Sequence, residues 1–174
     1  MPNRARPIIG LDASLFIAWL TGEQRPDDQA AGIQECFERI RKDEIQAIVS
    51  AVLYSEILLG QYPEDKQLAF YKLMSGTNPQ VMEVDIRIAR TAGELRTYFN
   101  TKGMKMSTPD AVHISTAIHY GAHEFYTVDE GLTAKLENLL DLSAAVEGCS
   151  LVVRIPPSTT PMLGLKGKSA QSGS

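Results

Sequence analysis

Cysteine and histidine are scarce in this chain: its 174 residues hold 2 cysteines, Cys36 and Cys149, and 3 histidines. Neither cysteine stands at a ligand-like spacing from a histidine, so the pattern implies neither a zinc site nor a disulfide framework. Two isolated thiols fit a reduced, intracellular protein. Excess positive charge is missing as well. Lys and Arg number 17 against 21 Asp and Glu, for a formal charge of −4, and the pI is about 5.4, which argues against a broad basic surface for nucleic acid. No stretch approaches the ~18 uninterrupted apolar residues of a membrane span. Residues 1–7 are basic, but the short apolar run behind them is broken by Asp12, which is unlike a signal peptide. The expected location is the cytoplasm.

What is present suits one domain, since single domains commonly hold about 100–200 residues, and 44% of the residues are hydrophobic. Short apolar runs alternate with helical periodicity. Ile8-Ile9-Gly10-Leu11 reads as a buried first strand, and residues 45–49, 81–84, 125–128 and 150–155 supply four more. Helices are expected over 14–20, from Asp27 with the stripe Ile33, Cys36, Phe37 and Ile40, and over 51–60, 64–74, 85–99, 108–120 and 132–140. Such alternation argues for an α/β fold, a parallel sheet with helices on both faces joined by right-handed crossovers. If the strand order is 3-2-1-4-5, strands one and four lie side by side. Beyond Pro156-Pro157 the composition turns to Ser, Thr, Pro, Gly and Lys with no apolar period. The domain is therefore expected over 1–155, with 156–174 as a flexible tail.

Four acids recur in matching places. Asp12 ends the first strand, at the carboxyl edge where open α/β sheets bind ligands, and Asp129 ends the fourth. Glu56 is the sole charge of the apolar stretch 51–60, where an ionised carboxylate costs several kcal/mol unless paired or metal-bound. Asp110 lies in the first turn of a helix opened by Thr108 as cap and Pro109 at the first helical position. Singly, each has an ordinary account: Asp12 as a helix cap, Asp110 as a partner of the helix dipole, Glu56 as a surface residue or the partner of an arginine. Asp85 is assigned capping only, because its strand lies at a sheet edge. His113 and His119 read as packing or surface residues rather than ligands.

With strands one and four adjacent, Asp12 and Asp129 meet at their carboxyl ends, and Glu56 and Asp110 can close on the same spot. Four carboxylates around one cleft repel one another unless a cation holds them. Hard oxygen donors suit Mg²⁺ or Mn²⁺ better than zinc. A pair of such ions, typically ~4 Å apart, activates water and steadies the leaving oxygen of an in-line displacement, so phosphodiester hydrolysis is the reaction best served. Lys102 and Lys105, in the loop before Asp110, are placed to meet flanking phosphates, contacts that give affinity without sequence information. Two solvated loop lysines would read the same way.

Ile8-Ile9-Gly10-Leu11-Asp12-Ala13-Ser14, Ser55-Glu56-Ile57-Leu58, Pro109-Asp110-Ala111-Val112-His113-Ile114-Ser115-Thr116-Ala117 and Thr127-Val128-Asp129 stand in this order. Together they resemble the four sequence blocks of PIN-domain ribonucleases, over roughly residues 7–155, and are close to those of the toxins of VapBC-type toxin–antitoxin pairs. The resemblance implies a three-layer α/β/α fold around a five-stranded parallel sheet of order 3-2-1-4-5. It implies Asp12, Glu56, Asp110 and Asp129 as the metal-binding and catalytic acids, and Ser14 and Thr127 as groups that orient water or a carboxylate. Mg²⁺ or Mn²⁺ would be the cofactor, RNA the substrate and a protein antitoxin the partner. The chain departs from the pattern in its longer tail and in Glu130 beside Asp129, which leaves open which carboxylate faces the metal.

The leading expectation is thus a metal-dependent endoribonuclease. A catalytically silent PIN-like module that binds RNA or protein, or a housekeeping ribonuclease without an antitoxin, would carry the same blocks. A receiver domain also gathers acids at strand ends, but it needs adjacent acids after the first strand and a lysine after the fifth. This chain has Asp12-Ala13 and Arg154-Ile155-Pro156 there. The apolar segments holding Trp19 and Tyr54 exceed what one small sheet needs, and exposed patches mark partners, so a homodimer is expected.

Overall fold

Ile8–Leu11 forms β1, and Ile9, Gly10 and Leu11 are all buried, so the strand needs apolar cover on both faces. The computed structural model of the protein describes residues 6–132 and 145–159. Within them β1 is the centre of a five-stranded sheet with β2 (Gln46–Ser50), β3 (Gln80–Met82), β4 (Glu124–Tyr126) and β5 (Val152–Arg154). Every pairing is parallel and the order is β3-β2-β1-β4-β5, the arrangement that the sequence predicts.

Alternation along the strands divides the core in two. Ile9, Leu11, Ala47, Val49 and Tyr126 pack with Phe16, Phe37 and Phe70, which come from α1 (Ala13–Thr21), α2 (Asp27–Arg41) and α4 (Glu64–Met74). Phe16 stands edge-on to Phe37 at 5.2 Å and to Phe70 at 6.1 Å. Phe125 and Val153 pack with Ile88, Leu95, Ile114 and Ala117, from α5 (Ile86–Thr101) and α6 (Thr108–His119). Gly10 sets how closely α6 can lie on β1. A Cβ there would stand 2.5 Å from Ala117 Cβ and 2.8 Å from the Phe125 ring, so only glycine fits. At the far end of α6, the Ala122 N–H donates to Ala117 O and the His123 N–H to Ile8 O, both at 2.9 Å. The helix therefore runs against the strands, and its N-terminus lies at their carboxyl ends.

Several boundaries differ from expectation. Residues 51–60 are not one helix: α3 (Leu53–Glu56) ends at an extended Ile57, and a 3₁₀ turn follows over Leu59–Gln61. A helix apolar on all sides would need burial on all sides. The break buries Leu53 and Ile57 and turns Tyr54, Ser55 and Leu58 to solvent. The cap of α6 is Ser107 rather than Thr108, with Ser107 Oγ accepting from the Asp110 N–H at 3.2 Å. Asp85 caps α5, accepting from the N–H groups of Arg87 at 2.9 Å and Ile88 at 3.0 Å. Of the helix expected over 132–140, all but Leu132 lies outside the described residues.

The expected tail begins at 156, yet contact with α2 continues through Thr159. Glu35 accepts from Ser158 Oγ at 2.8 Å, from the Thr159 N–H at 2.8 Å and from Thr159 Oγ1 at 2.7 Å. Residues 160–174 lie outside the described residues. No helix among the described residues is long and apolar enough to cross a membrane.

Candidate active site

Asp12 leaves β1 as the cap of α1, its own N–H bonded to Tyr126 O at 3.0 Å. Three donors converge on its Oδ2: Ser14 Oγ at 2.5 Å, Thr127 Oγ1 at 2.8 Å and the Ser14 N–H at 3.4 Å. Both hydroxyls spend their protons on that one oxygen and accept with their lone pairs. Ser14 Oγ takes the Val128 N–H and Thr127 Oγ1 takes the Asp129 N–H, each at 3.1 Å. Among the described residues nothing donates to Asp12 Oδ1. The Val128 peptide is gripped from its other side by Arg25, whose Nη1 donates to Val128 O at 3.1 Å while its Nε donates to Glu23 Oε1 at 2.6 Å. Asp12 and Asp129 are thus joined through Thr127, on a strand end fixed from both sides.

Glu56 and Asp110 are related only through α6, the helix that carries Asp110 in its first turn. Glu56, at the end of α3, meets His113 Nε2 through Oε1 at 2.5 Å, and His113 lies one turn beyond Asp110. Asp110 and Asp129 share the walls of a small cleft with Lys105, Met104 and Met106, and neither Asp12 nor Glu56 lines it. Lys102 is not among its walls. It sits over the Tyr98 ring, 5.6 Å from the centroid. Glu130 is exposed, and Asp129 Oδ1 accepts from the Leu132 N–H at 3.1 Å, the bond of a helix cap.

A sequence profile of the PIN domain matches residues 9–136. The chain belongs to the PIN domain family. No curated protein matches it in sequence. Solved structures share the fold. VapBC2 from Rickettsia felis, bound to a DNA fragment from its promoter, aligns with a TM-score of 0.56 at 18% identity, covering 84% of this chain and 97% of that one. DNA-bound VapBC from Salmonella typhimurium gives 0.56 at 17%, with 85% and 98% covered. VapC20 from Mycobacterium tuberculosis, a sarcin-ricin loop cleaving toxin, gives 0.51 at 17%, with 73% and 93% covered.

In this PIN domain Asp12 is thus tied through Thr127 to the backbone of Asp129, Asp129 shares a cleft with Asp110, and Glu56 is held against α6 by His113. Like charges at one sheet end repel, and among the described residues no three His, Cys, Asp or Glu side chains stand close enough together to hold a metal ion. The donor set nonetheless fits a hard cation: carboxylate oxygens only, one of them Asp12 Oδ1 with no competing donor, and the nearby imidazole already engaged with Glu56. Two residues of the site escape sequence reasoning. His113, read as a packing or surface residue, is buried and bonded to Glu56, and its only signal is a position one turn beyond Asp110. Arg25, in a loop with no pattern, has no signal at all.

Proposed function

We propose that this PIN domain is a Mg²⁺- or Mn²⁺-dependent endoribonuclease that hydrolyses RNA phosphodiester bonds, and the toxin of a toxin–antitoxin pair working in the cytoplasm. The observation that carries the reading is the carboxylate of Asp12, clamped through one oxygen by Ser14 and Thr127 with the other left open, and joined through Thr127 to the backbone of Asp129, which shares a cleft with Asp110. When bound, the divalent ion would supply Lewis-acid polarisation of the phosphoryl oxygen and an acidified water. Asp12, Glu56, Asp110 and Asp129 would hold it, and Ser14 and Thr127 keep Asp12 and the Asp129 backbone in register. Lys105, in the cleft wall, offers a cation to a flanking phosphate. Lys102, over Tyr98, is the weaker candidate for that task.

Support for an antitoxin comes from the structural neighbours, two of which are toxin–antitoxin complexes on DNA. Tyr54, Leu58, Leu68 and Tyr71 are large apolar side chains, each 48–61% exposed, on α3, α4 and the segment between them, and such surface suits a partner, antitoxin or second copy. A second reading, a module that binds without cutting, is favoured by the distance between the acids. One experiment separates the two. Asp12→Asn should abolish Mn²⁺-dependent RNA cleavage while leaving the melting temperature unchanged. A wild type with neither cleavage nor a Mn²⁺-induced rise in melting temperature decides for the silent module.

A further inference from the structure

The buried face of α6 runs unbroken from Ala111 through Ala117, and a histidine in its midst brings two ring nitrogens that need partners. His113, 2% exposed, satisfies one of them. Its Nε2 meets Glu56 Oε1, and because a carboxylate accepts, the shared proton belongs to Nε2. Its Nδ1 is buried without a hydrogen bond among the described residues. A leucine would fill this space and strand no polar atom. Packing alone therefore does not explain the imidazole, whereas the bond to Glu56 does.

Glu56 depends on that bond. It ends a four-residue helix, the next backbone unit is extended (φ −86, ψ 104), and Tyr54, Ser55 and Leu58 around it are exposed. Among the described residues its carboxylate makes no other hydrogen bond or ion pair. Its long side chain would otherwise keep its rotamer freedom in solvent. The helix that carries His113 is, in contrast, seated on β1 at Gly10. We infer that His113 is a positioning residue, whose Nε2–H holds the Glu56 carboxylate toward the acids at the carboxyl end of the sheet. The role rests on the divalent-ion reading given above. Outer partners that orient a ligand in this way typically govern metal affinity by roughly 10–100-fold.

The test uses the full chain and three substitutions. His113→Gln keeps an N–H where Nε2 stands, His113→Asn sets its amide near Nδ1 instead, and His113→Leu removes both. Calorimetry gives the Mn²⁺ affinity, and crystals grown without divalent ions give the direction of Glu56. The dissociation constant should rise roughly 10–100-fold in H113L and H113N and stay within about threefold of wild type in H113Q. Glu56 should turn away from α6 in the first two and keep its place against it in the third. Melting temperatures check that each variant folds, with H113L at or above wild type. Glu56 held in place in H113L overturns the inference, as does an unchanged Mn²⁺ affinity there, or a loss in H113Q equal to that in H113L. A wild type that binds no Mn²⁺, with Glu56 swinging away in H113L but not in H113Q, keeps the positioning role and removes the divalent-ion reading.

Discussion

Cys36 lies on the buried face of α2, and burial pushes its thiol up from the ordinary 9.0 to about 12, against a smaller downward pull from Arg39. A raised value means that the fold favours the neutral thiol. The stabilisation is complete below the unfolded value and is lost as pH climbs from about 9 toward 12. Cys36 should therefore resist a thiol reagent at pH 8 in the native protein and react promptly in denaturant, with stability declining in the alkaline window. Fast native labelling at Cys36 would contradict this. Single residues were legible in the sequence when their role is local: Asp85 caps the helix that follows it, and Asp12 marks a strand end. His113 and Arg25 were not, because each acts on a partner far along the chain, His113 on Glu56 and Arg25 on the Val128 carbonyl.

At the scale of elements, the contact that places the site is α6 on β1. Gly10→Ala inserts a methyl group where Ala117 Cβ and the Phe125 ring already stand, and overpacking of this kind costs about 1–3 kcal/mol. Urea unfolding should show that loss. A stability unchanged by the methyl group would mean that α6 can withdraw freely and does not fix Asp110 or His113. That the sheet is parallel was readable from the alternation of short apolar runs with periodic helices, since parallel strands need crossovers and crossovers need helices, whereas the order of the strands was implied by the resemblance to PIN-domain ribonucleases. The break after Glu56 was not. Local propensity favours helix throughout 51–60, and only the tertiary choice of burying Leu53 and Ile57 while exposing Leu58 ends it.

Over the whole molecule, residues 156–159 close the domain against α2. A Cβ on Gly32 would come within 2.2 Å of Pro156 O, and Glu35 holds Ser158 and Thr159. Truncation after Ile155 should lower the melting temperature by roughly 2–4 °C, and truncation after Thr159 should spare these contacts. Equal melting temperatures for the two would show that they add nothing. This closure is invisible in composition, because a glycine without a side chain and one helix carboxylate make it rather than an apolar stripe. The same architecture brings acids from four segments to one end of the sheet. The measurement that bears on this most directly is an anomalous difference map from crystals soaked in Mn²⁺. The account predicts a peak about 2.1 Å from oxygens of Asp12 and Asp129, with Asp110 and Glu56 turned toward it. A map with no peak at that edge, and Glu56 and Asp110 directed elsewhere, would contradict it.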